Sequence, residues 1–218
     1  LSLHDALPIY SHVAMLGWIF IALLVFLLED ADRDPARQHH RTFLFWAQVA
    51  VVGMLLSFPV QGYGVVSIAF TTLHMLVSYG LAVFAWKGTR HWVRAGSRRL
   101  VRIAIIMQVL STIGVWAMAP ILASGLFGSE LYYWSIQFFL HFQFNGWFWF
   151  AALALWSRWA ETHGAAELFD PFTIRLWLVS AVLTFALAIA WSERHWPIIA
   201  INSLGDDGDD GDRKSTRL

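Results

Sequence analysis

From Glu130 to Trp156 the chain reads ELYYWSIQFFLHFQFNGWFWFAALALW, an apolar run with a formal charge only at its first residue. As a helix, a run of this length crosses the roughly 30 Å hydrocarbon core of a bilayer. It restricts the fold more than any other feature of the sequence. Near its middle lie Gln137, His141, Gln143 and Asn145, where hydrocarbon penalises polar groups that lack a partner. On a helix, Gln137, His141 and Asn145 recur every four residues and share a face, while Gln143 points elsewhere. Such side chains must meet a protein partner, a cavity or a cofactor.

The rest of the chain repeats the pattern. Of 218 residues, 58% are hydrophobic and 14% charged, with 13 Trp and 17 Phe, against about 25% charged in a soluble domain. The charges gather between apolar runs of spanning length, so the zero net charge says little about partners, and nothing points to nucleic acid. Spans are expected at about 10–28, 42–59, 65–86, 100–122, 130–156 and 172–191. The expected fold is therefore all-α, a polytopic transmembrane bundle of about six spans over residues 10–195. Residues 196–218 read as a tail whose acidic Gly/Asp stretch has the composition of disorder. The opening LSLHDALPI and closing DRKSTRL resemble adapter-derived translation and are set aside, residues 1–9 as an artefact. The natural protein is expected to extend beyond both ends, with further helices completing the bundle.

Loop charge gives an orientation. The loops after spans one, three and five carry three, six and two Lys/Arg, counting Arg158 and Arg175, and those after spans two and four carry none. The positive-inside rule then puts the basic loops in the cytoplasm and the N-terminus outside. With spans one, three and five all running inward, His74 and His141 each lie roughly 15 Å from the outer face. Counted from the cytoplasmic ends, His12 and His141 lie at about 24 and 23 Å, and His74 at about 18 Å. Three parallel helices thus each carry an imidazole in the outer half of the membrane. His74 shares its face with Ser67, Thr71 and Ser78, and span four carries a stripe of Gln108, Ser111 and Thr112. Such stripes also serve as plain interhelical glue. His39, His40, His91 and His163 fall in cytoplasmic loops and are expected to be solvated, and His195 follows the sixth span.

Several chemistries are excluded by what the chain lacks. It has no cysteine, so thiolate ligands and iron–sulfur clusters are out, and a haem or metal would rest chiefly on histidine. It has no Gly-rich phosphate loop, no HExxH pattern and no carboxylate inside a span of the kind that proton-coupled relays use.

Within this pattern, YYWSIQFFLHFQFNGWFWF resembles the sixth helix of the catalytic subunit of haem–copper oxidases and nitric-oxide reductases. On that resemblance His141 takes the position of a ligand to the non-haem metal. Gln143 falls where many members carry Glu or another polar residue, and Asn145 where they carry Tyr or Glu. SHVAMLGWIF is similar to a helix that holds low-spin haem through a His near its outer end, which assigns His12. His74, with no counterpart in the family, stands beside it as a second cofactor-binding candidate. The resemblance implies a multi-pass oxidoreductase of the bacterial inner membrane, passing electrons to a small gaseous oxidant such as O₂ or NO. Its cofactors would be haem and a non-haem metal, copper or iron, with Gln143 and Asn145 orienting a bound water or ligand. Two other readings stay open: a non-enzymatic sensor or permease whose polar stripes only pack helices, and a bis-His cytochrome b.

Overall fold

The computed structural model describes residues 13–28, 39–62, 64–92 and 94–190. All regular structure among them is helical. Helix α1 comprises the π-helical Val13–Ile19 and the α-helical Phe20–Leu28. Helices α2 (His39–Gln61), α3 (Val65–Gly88) and α4 (Ala95–Ala123) follow. A continuous rod, α5, is built from Glu130–His141, the π-helical Phe142–Phe148, and Trp149–Thr162. The last helix, α6, spans Pro171–Ala188.

Four of these, α2, α3, α4 and α6, are long and apolar enough to cross a membrane, and Met15–Leu28 is a shorter apolar helix. This corrects the expectation of six spans. The fifth stretch has the length, but Gln137, His141, Gln143, Asn145 and four Trp dilute its apolar character. The first is described only from Val13 onward, and its expected start at Tyr10 lies outside the described residues.

The distribution of side chains is the reverse of a soluble bundle's. Phe26, Phe45, Leu56, Ile106 and Val179 are exposed, while Ser67, His74, Ser78, Gln108, Ser111 and Gln143 are buried. In water this arrangement would expose large apolar surface and desolvate polar groups. In lipid it is the stable one, because hydrocarbon solvates the outside and polar side chains find one another within.

Local chemistry sets the helix ends. Asp170 caps α6, its Oδ1 accepting from the N–H groups of Phe172 (2.8 Å) and Thr173 (3.1 Å), with Pro171 at the first helical position. Ser129 caps α5 by accepting from the Tyr132 N–H at 3.3 Å. Helix α4 ends soon after Pro120 at Gly125, whose φ of 71° admits the closing bond from Leu126 N–H to the Ile121 carbonyl at 3.1 Å.

Packing joins α2 to α3, and α4 to the whole length of α5. The α4–α5 approach is close at Gly114, where an added Cβ would meet the Ser135 carbonyl oxygen and lie 2.9 Å from the Phe139 nitrogen. Both are backbone atoms and cannot swing aside. A large apolar core links α1, α3, α4 and α5 around Phe20, Leu81, Leu100, Trp147 and Phe150. His40, expected to be solvated, is instead 2% exposed in the first turn of α2 and lies edge-on to Phe84 at 6.2 Å. The helix begins three residues earlier than hydropathy suggested and carries the ring inward with it.

Candidate functional site

His141 closes the first α-helical section of α5, and the chain continues through the wider π-helical turn. Its Nε2 lies 2.7 Å from the Ala181 carbonyl of α6, and its Nδ1 lies 3.2 Å from the Asn145 amide nitrogen. A carbonyl only accepts, so Nε2 carries the proton and donates, and Nδ1 accepts from Asn145. The ring is packed edge-on to Phe142 at 5.2 Å and tilted against Phe185 at 5.6 Å. Both nitrogens are therefore committed to protein partners. Serving as a metal ligand would cost His141 one of these bonds, so the ring as placed does not fit the non-haem metal.

His74 is held differently. It is 4% exposed on the inner face of α3, and its ring hydrogen-bonds the backbone carbonyl of Leu16 on α1. Its Nε2 has no partner. The ring packs on Phe20 at 5.1 Å, and Phe20 in turn packs on Trp147 of α5 at 5.6 Å. The Trp147 indole nitrogen is also unpartnered, as are the side-chain carbonyls of Gln108 on α4 and Gln143 on α5. The Gln108 amide nitrogen donates to Ser78 at 2.9 Å, one turn along α3 from His74. His74 Nε2, the Trp147 nitrogen and the two glutamine carbonyls are four of the eight buried polar side-chain atoms on α3, α4 and α5 that lack a hydrogen-bond partner among the described residues.

The residues singled out in the sequence are distributed as follows. His12 and His195 lie outside the described residues. His74 and His141 do not meet, since His74 turns to α1 and His141 to α6. Equal depth on two helices leaves the azimuth free, and here the azimuths diverge. Gln143 is 2% exposed, whereas Asn145, two residues on, is exposed and holds the His141 ring. Among the described residues, no three His, Cys, Asp or Glu side chains come together to hold a metal. Phe20, at 1% exposure, covers His74 closely. Nε2 itself is buried and a haem there would need neighbouring side chains to move, so the described residues do not fit the group in this arrangement.

A second polar cluster escaped sequence reasoning. The Tyr79 hydroxyl lies 2.7 Å from the Thr112 hydroxyl and accepts from the Trp116 indole N–H at 2.8 Å. The stripe on α4 pointed to Thr112, but nothing in the pattern singled out Tyr79 as the residue it would meet.

Comparison with known proteins finds no matching family model, no matching curated protein and no matching solved structure. The fold therefore defines a class. Four helices apolar enough to span a bilayer, with polar side chains turned inward, mark a helical membrane protein.

Proposed function

We propose that the chain is a non-enzymatic packing bundle of a multi-pass membrane protein, with polar side chains joining its helices. We place its spanning helices in a bacterial inner membrane, with the basic loops inside and the N-terminal side outside. The observation that carries this reading is the full engagement of His141, which ties α5 to the Ala181 carbonyl of α6 and to Asn145. Ser78–Gln108 and Tyr79–Thr112 join α3 to α4 in the same manner. The test is to purify the full chain in lipid nanodiscs and record its visible spectrum, metal content and melting curve. The expected result is no Soret band, no stoichiometric metal and a lower melting temperature in His141→Ala.

One observation favours a second reading, a redox protein resembling haem–copper oxidase subunit I and reducing O₂ or NO. His74 has one side of its ring tethered by a backbone carbonyl and an unpartnered Nε2, as a ligating histidine has, but that nitrogen is buried and the side chains over it would have to move to admit a haem. A Soret band lost in His74→Ala would put a haem on His74, and consumption of O₂ or NO by the reduced protein would separate this reading from a bis-His cytochrome b.

A further inference from the structure

Along the lipid-facing seam between α3 and α4 runs a groove of about 340 Å³. Its floor is apolar, formed by Ala82, Val83, Ile105 and Val109, and its two ends differ. Tyr79 closes one. Lys87 and Arg90 stand at the other, both exposed and neither ion-paired among the described residues. Beside them Trp86 lines the groove and carries the Arg102 guanidinium at 5.1 Å from its ring centre. The Arg102 Nε is buried without a partner. From Val65 to Ala123 the sequence contains no Asp or Glu. Two acids engage the start of α4, Glu161 accepting from Ser97 at 2.9 Å and Glu167 lying against Gly96.

We propose that this groove binds one anionic phospholipid. Its phosphate sits among Lys87, Arg90 and Arg102, and one acyl chain lies along Val83, Ile105 and Val109 towards Tyr79. Eleven residues separate Tyr79 from Arg90, about 16 Å along a helix, close to half the roughly 30 Å hydrocarbon thickness. The cations thus stand at headgroup level when the far end is near mid-membrane. Charge at one end of a narrow apolar slot matches an amphiphile with a single anionic head. A neighbouring helix, about 10 Å across, would require apolar or small residues along its whole contact. The inference rests on membrane insertion of α3 and α4, and on neither reading of the histidines.

The experiment is native mass spectrometry of the full chain released from vesicles of equal phosphatidylglycerol and phosphatidylcholine. One phosphatidylglycerol is expected to be retained in preference to phosphatidylcholine, with the preference falling about fivefold for each charge removed in Lys87→Gln and Arg90→Gln. Val83→Trp, which fills the slot from its exposed side, should reduce retention of the lipid with every cation in place. Equal retention of the two lipids would overturn the proposal, as would a Lys87→Gln/Arg90→Gln variant that behaves as wild type. Displacement of the lipid by inorganic phosphate alone would overturn the acyl-chain part and leave a headgroup site. Flotation separates the premises: a chain that does not float with the vesicles refutes membrane insertion, and one that floats without lipid preference refutes this inference alone.

Discussion

At the contact of α5 with α6, His141 gives both ring nitrogens to protein partners; at the contact of α1 with α3, His74 gives one and keeps the other. Each ring lies well inside the bundle, yet one is a completed joint and the other leaves a nitrogen unpartnered. The difference comes from what stands opposite. Helix α6 offers a backbone carbonyl at bonding distance, and Asn145 lies one turn along from His141 on its own helix. The ring packed against His74 is Phe20, which provides no polar atom, and no polar group reaches Nε2. A buried histidine in hydrocarbon is therefore no uniform signal. What decides its role is whether the surrounding helices use both of its nitrogens.

The largest expected effect removes the scaffold common to both regions. Gly114→Val puts side-chain atoms against the Ser135 and Phe139 backbone, and pushing α4 from α5 should cost about 3 kcal/mol, seen as a much lower melting temperature in nanodiscs. Next, His141→Leu breaks the Ala181 and Asn145 bonds and should cost about 1–2 kcal/mol. His74→Leu gives up the Leu16 bond but also removes an unpaired buried nitrogen, so its melting should stay within about 0.5 kcal/mol of wild type. If thermal denaturation shows the two Leu variants equally damaged, the contrast between the histidines does not hold.

The smallest effect lies outside the spans. Hydrogen bonding from the Thr173 hydroxyl, then from the Thr173 and Phe172 N–H groups, holds the Asp170 carboxyl below the usual carboxylate range. A lowered folded-state pKa means the cap's ionic contribution is complete above the unfolded carboxylate pKa and is lost as pH falls through the folded one. Acidification should then lower the melting temperature slightly in wild type. Asp170→Asn, which still caps but does not titrate, should lack that part of the decline. A parallel pH profile in the variant would remove Asp170 from the account.

Much of the bundle was legible in the residues. The Ser67, Thr71, His74 and Ser78 face of α3 is turned inward, and Gln108 and Thr112 on α4 meet that helix at Ser78 and Tyr79. Asn145 stacks under His141 as spacing by four requires. The partner of His141 could not be read, because it is a backbone carbonyl, an atom every residue carries and no side-chain pattern distinguishes. The π-helical turn at Phe142–Phe148 and the early start of α2 at His39 were hidden for a related reason. They follow from how neighbouring helices seat against one another, which periodicity does not encode.

Composition and periodicity determined that this chain forms apolar helices with polar faces, and which residues share each face. Only the tertiary structure decided that His74 and His141 turn to different neighbours. A repeat of 3.6 residues fixes angles around one helix axis, while the rotation of that helix against the others is set by packing, through close approaches such as Gly114 on Ser135.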